Sequence, residues 1–138
     1  MMATATLTEN PATATTSLLR LVLRADAVVT GVNGLAYLAL AGPLETLLGP
    51  AASVQEPIGV FLLVYGVAVW FAARPAKISR TVTKLIMGAN ALWAIVSLME
   101  LAPNGLPFTT VGAVWDVLQA IVVGGFCALQ YVGLRRSR

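Results

Sequence analysis

Apolar residues along this chain come in four long runs, each bounded by turn-forming or charged residues. The first is Leu21–Ala41, closed by Gly42 and Pro43, and the second is Pro57–Ala73, closed by Arg74 and Pro75. The third is Leu85–Ala102, closed by Pro103, Asn104 and Gly105, and the fourth is Thr109–Leu134. Each is close to the ~20 residues, within a range of roughly 17–25, that an α-helix needs to cross a hydrocarbon core. Backbone groups find no water in lipid, so each span must satisfy its own hydrogen bonds, and helix does so. The expected fold is therefore an all-α, four-helix transmembrane bundle over residues 18–138. Pro57 is expected in the first turn of the second helix, where its missing N–H leaves no bond unmade. Residues 1–17 are rich in Ala and Thr, show no periodic apolar face and read as a disordered cytoplasmic tail. The segment "PLETLLG", Pro43 to Gly49, reads equally as a short interfacial helix or as a plain loop.

Polar residues inside the runs are not scattered. At about 100° per residue, Asp26, Thr30, Asn33 and Tyr37 share an arc of about 60° on the first helix. Thr83, Asn90 and Ser97 share an arc of about 40° on the third, and Asp116, Gln119 and Gln130 an arc of about 60° on the fourth. The second run offers a smooth stripe instead, with Gly59, Gly66 and Ala73 at heptad spacing. The fourth adds Ala120, Gly124 and Ala128 beside its polar face. Polar groups in a membrane face a bundle interior or a cavity, and small residues let helices approach closely. The stripes are therefore expected to converge, with Asn33 and Asn90 as a reciprocal amide pair. Asp116, Gln119 and Gln130 are expected to face inward, with Asn90, Ser97 or Tyr37 as candidate donors to the Asp116 carboxylate. Asp26 is expected to pair with Arg24.

"TGVNGLAYL" (Thr30–Leu38) and "MGANALWAI" (Met87–Ile95) match at one constant offset, Gly31, Asn33 and Leu35 falling against Gly88, Asn90 and Leu92. Pro50 and Val54 fall against Pro107 and Val111 at that offset. Such a match points to a parallel two-helix internal repeat, spans one and two against spans three and four. Elsewhere the alignment fades, so a chance likeness stands beside it.

Composition supports lipid as the solvent: the chain is 58% hydrophobic and only 11% charged, with mean hydropathy +0.83. Soluble domains carry about 25% charged residues. The nine Lys and Arg all fall before or at the start of span one, between spans two and three, or after span four. The two other loops hold Glu45, Glu56 and Glu100 and no cation. By the positive-inside rule both termini are cytoplasmic, in a multi-pass cell (inner or plasma) membrane protein. A net charge of +3 spread this way is not a nucleic-acid signal. "ALA" at Ala39–Ala41 leaves a second reading of span one as a cleaved signal sequence. Asp26, Thr30 and Asn33 within it, and the long approach before it, argue for a retained helix.

Chemistry is sparse. There is no His, so the usual haem and zinc ligand and the commonest general base are missing. One cysteine, Cys127, excludes an internal disulfide and reads as a small apolar helix residue. Neither phosphate-binding glycine motif, GxxxxGK[ST] nor GxGxxG, occurs. No cofactor and no metal site is expected. Trp70 and Trp115 suit interfacial belts, while Trp93 and Tyr65 lie deeper and serve packing or line a ligand site.

With "RADAVVTGVNGLAYLALAGPLETLLG", "ANALWAIVSL" and "VWDVLQAIVVGGFCALQYVGLRR" in view, the chain resembles small uncharacterised four-span integral membrane proteins of high-GC bacteria. The resemblance covers about Leu18 to Arg136 and implies a four-helix membrane bundle, but no activity. It does not look like a small multidrug efflux pump, whose early span-one Glu is missing. The candidate polar core or ligand-lining residues are Asp26, Thr30, Asn33, Tyr37, Asn90, Ser97, Asp116 and Gln119. Long apolar helices with a modest polar core favour a non-enzymatic module, either an accessory subunit of a larger membrane-protein partner or a bundle holding a lipid-like or isoprenoid molecule. The alternative is a proton-coupled transporter using Asp116 and Asp26. An intramembrane enzyme ranks last, because no nucleophile–base constellation is present.

Overall fold

The computed structural model describes residues 11–136, with side chains over 18–136. Among them the chain forms five helices: α1 (Pro11–Ala39), α2 (Ala41–Leu48), α3 (Ala52–Ala72), α4 (Arg80–Met99) and α5 (Thr110–Arg136). Four of these, all but α2, are long and apolar enough to cross a membrane. No strand occurs among the described residues. Only 22–28% of each span's most apolar window is buried inside the bundle, so most of its apolar surface faces outward. Residues 1–10 lie outside the described residues, and α1 begins at Pro11, within the stretch read as tail.

The helix ends explain where the boundaries depart from the apolar runs. Helix α3 starts at Ala52, so Pro57 lies inside the helix rather than in its first turn. The extension is held from outside: Glu45 Oε1 accepts from the Ala52 N–H at 2.8 Å, placing a carboxylate at the positive helix end. Gln55 Nε2 donates back to Pro50 O at 2.7 Å. Helix α4 starts at Arg80 because Ser79 Oγ accepts from the Val82 N–H, an N-cap that periodicity alone does not reveal. "PLETLLG" is helical, as part of α2. It ends at Gly49, whose φ of 110° favours glycine. Thr109 then clasps the end of α2 to α5: its Oγ1 donates to Leu47 O at 2.7 Å and accepts from the Gly112 N–H at 3.0 Å.

Helix α1 packs most extensively on α3, and α4 on α5; α1 and α5 join these two pairs. By contrast, α3 and α4 barely meet, although they are consecutive spans. Each tight pair consists of consecutive spans, which a chain without any repeat forms equally. Arg20 closes one end of the bundle by donating to Ala73 O (3.0 Å), Pro75 O (2.6 Å) and Ala76 O (3.2 Å). At the same end Arg80 Nη1 donates to Leu134 O at 2.9 Å. A core cluster that includes Leu19, Leu23, Val69, Ile86 and Leu134 lies there too.

The glycine stripe of α3 sits in its tightest crossing. A Cβ on Gly66 would lie 2.9 Å from Ala27 O, and one on Gly34 would lie 2.6 Å from Leu63 N. The small-residue stripe expected on α5 packs only at its Ala120 end: Ala120 is buried, but Ala128 is exposed and a Cβ on Gly124 would meet nothing within 4 Å. Gly66→Leu is therefore expected to destabilise the bundle by about 1–3 kcal/mol through overpacking, and Gly124→Leu by less than about 0.5 kcal/mol. Thermal unfolding of both variants in detergent checks the contrast; equal losses would place the α1–α3 crossing elsewhere.

Candidate functional site

Asp26 is fully buried, with 0% of its surface exposed, yet no cation contacts it among the described residues. Its carboxylate is held by neutral donors alone. Thr30 Oγ1 donates to Oδ1 at 3.0 Å, one turn along α1. Asn90 Nδ2 of α4 and Gln130 Nε2 of α5 both donate to Oδ2 at 2.8 Å. Asn90 Nδ2 also reaches Gln130 Oε1 at 3.2 Å. Asn90 Oδ1 accepts from Tyr65 OH of α3 at 3.1 Å, and that hydroxyl also lies 3.2 Å from Ile86 O. One hydrogen-bonded cluster thus contains a side chain from every long helix.

Two expectations are corrected here. Asn33 and Asn90 do not pair: Asn90 is engaged by Asp26, Gln130 and Tyr65, while Asn33 lies half-buried against a cavity. A carboxylate offers an acceptor stronger than another amide, so Asn90 turns to it. Asp26 does not pair with Arg24 either. Residues two apart point to nearly opposite faces of a helix, and the Arg24 guanidinium instead stacks 4.2 Å from the Trp70 ring centroid.

Between the helices lies a cavity of about 350 Å³, set where α3 and α4 fail to close. Thr30, Asn33 and Tyr37 line it from α1, Asn90 and Trp93 from α4, and Gln119 from α5. The rest of its wall is nearly all apolar, with Phe61, Leu62, Val96 and Phe126 among it. The Phe61 ring spans the gap, stacked at 6.0 Å on Trp93 and 5.9 Å on Tyr65. Trp93 and Tyr65 are thus cavity-lining rather than plain packing.

Two indole bonds mark the far end of this cavity. Trp93 Nε1 donates to Gln119 Oε1 at 2.9 Å, and Trp115 Nε1 donates to Tyr37 OH at 2.8 Å. Beyond them is a second chamber of about 270 Å³ that shares Tyr37, Trp93, Val96, Trp115 and Gln119 as its wall. Ser97 and Asp116 face this second chamber. Asp116 is buried, at 7% exposure, and takes only Gln119 Nε2, at 3.2 Å on Oδ1. None of Asn90, Ser97 or Tyr37 donates to it: Asn90 is engaged by Asp26, and Tyr37 accepts from the Trp115 indole. The eight residues singled out from the sequence therefore fall into an inner cluster, a cavity wall and an outer chamber. Gln55 and Glu100 of the outer chamber were not singled out, because both sit at the margins of apolar runs and stand on no polar stripe.

No grouping of three or more His, Cys, Asp or Glu able to hold a metal occurs among the described residues. Comparison with protein-family models, with curated proteins and with solved structures found no match to this chain. By length and apolarity, its four long helices mark it as a multi-pass membrane protein.

Proposed function

We propose that this protein is a non-enzymatic membrane module that holds an apolar, lipid-like molecule in the cleft between α3 and α4. The observation that carries the reading is the cavity itself. Its volume of about 350 Å³ falls at the lower end of the roughly 300–1,000 Å³ usual for small-molecule sites. It lies at the seam where consecutive spans barely touch, and residues on its wall such as Phe61 and Leu92 remain more than half exposed. A molecule dissolved in the bilayer reaches such a seam sideways, without crossing water. The few polar groups on the wall, at Asn33, Tyr37 and Gln119, suit one polar end of an otherwise apolar molecule. The orientation that goes with this reading puts both termini in the cytoplasm, following the cations at one end of the bundle.

A second reading, proton-coupled transport, draws on Asp116, whose Oδ2 is buried without a partner. It predicts flux driven by a pH gradient in vesicles, which the holding reading does not.

Native mass spectrometry of the full chain from mild detergent should show an apolar adduct. Ala89→Phe, which adds bulk to the cavity wall, should abolish the adduct while leaving the fold intact by circular dichroism. A bare chain, or an adduct indifferent to Ala89→Phe, would contradict the reading. In sealed vesicles with Cys127→Ser, an impermeant thiol reagent should leave Ser79→Cys unlabelled from outside; labelling there would reverse the orientation.

A further inference from the structure

The outer chamber carries a feature that the cleft does not. Two side chains that line it end in buried oxygens with no partner among the described residues, Asp116 Oδ2 and Gln55 Oε1. Asp116 is 7% exposed and Gln55 4%. Neither oxygen is free to become a donor by rearrangement of its own side chain. The Gln55 amide is fixed by its Nε2 bond to Pro50 O at 2.7 Å, because a flipped amide would set oxygen against oxygen. The other oxygen of Asp116 already accepts from Gln119. A buried carboxylate oxygen left without a donor is costly, so a donor entering the chamber would relieve it.

The surroundings narrow what that donor is. Glu100 adds a second carboxylate to the lining, and no Lys or Arg lines the chamber, which opposes phosphate and carboxylate ligands. Trp93, Trp115 and Phe108 supply aromatic walls, which favour organic cations. A single hydroxyl offers one proton for two acceptors, and a quaternary ammonium offers none. A divalent metal ion asks for more converging ligands than the chamber gathers, since no group of three or more His, Cys, Asp or Glu able to hold one occurs among the described residues.

We propose that the outer chamber is a binding site for a small organic amine, taken as its primary ammonium ion. Its N–H groups meet Asp116 Oδ2 and Gln55 Oε1, and its apolar part lies against the tryptophans. The site is separate from the lipid-like ligand of the cleft and does not depend on it, since the indole bonds of Trp93 and Trp115 stand between the two.

The test is titration of the purified full chain, in neutral detergent at neutral pH, with phenethylammonium, its N,N,N-trimethyl analogue and 2-phenylethanol. Tryptophan fluorescence and calorimetry are the readouts. The expected result is saturable binding of the primary ammonium, with the trimethyl ion and the alcohol weaker by at least about tenfold. Asp116→Asn, which keeps an oxygen for Gln119 but removes the charge, should weaken the ammonium by a similar factor. The co-purified apolar adduct, where present, should stay bound throughout. Equal binding of amine and alcohol would overturn the proposal, as would equal binding of the trimethyl ion or no saturable binding. Undiminished amine binding by a folded Asp116→Asn would also overturn it. The three-ligand comparison on the unaltered chain decides the matter even where that variant fails to fold.

Discussion

A carboxylate buried in an apolar bundle without a cation must find its hydrogen bonds among neutral groups, and Asp26 does so by recruiting other helices. Thr30 serves its Oδ1 locally, but Oδ2 takes one amide from α4 and one from α5, and α3 reaches the cluster through the Tyr65 hydroxyl. Each bond to the carboxylate contributes about 1.5–3 kcal/mol net, and an orphaned buried partner costs about 1–3 kcal/mol, more when it is charged. The cost of stranding the carboxylate is what gives the cluster its hold on the fold. Rotating or sliding any one helix strands the amides and hydroxyl of the others, so the register of four helices is set at one depth. In lipid this matters more than in water, because apolar side chains gain little by leaving lipid for one another.

The same constraint explains the gap. With α1 held to α3 by close backbone approach at Gly34 and Gly66, and α4 packed on α5, the two pairs meet chiefly through α1 and α5. The α3–α4 seam is left to a hydroxyl bond and an aromatic stack rather than to interlocking side chains. A cavity lies at this seam, with Asn90 of the cluster and Tyr65 in its wall. Fold and proposed function thus share one cause, and the outer chamber lies past the indole bonds that end the cleft.

The four spans were legible because hydropathy and chain reversal are written locally, and the polar stripes were legible because helical spacing fixes which residues share a face. The depth and partners of each polar group were not. Asn33 and Asn90 look equivalent in sequence, but the helix faces meet so that the Asp26 carboxylate, not Asn33, is within reach of Asn90. Arg24 looks like the neighbour of Asp26, yet helical twist sends it to Trp70. Helix α3 runs past Pro57 because of Glu45, a residue from the preceding helix, and no local pattern reports such a cap. Gln55 and Glu100 were not singled out as lining residues for the same reason: the chamber they line is enclosed by loops and helices together.

The central claim is that Asp26 and the amides of α4 and α5 act as one unit. A double-mutant cycle of Asp26→Leu and Gln130→Leu, read by reversible unfolding in detergent, tests it most directly. Each single change leaves a buried group stranded, whereas the double change removes both ends of the 2.8 Å bond. The double variant should lose less than the sum of the singles, by about 1 kcal/mol or more. Additivity within about 0.3–0.5 kcal/mol would contradict it, and would leave the bundle held by packing alone.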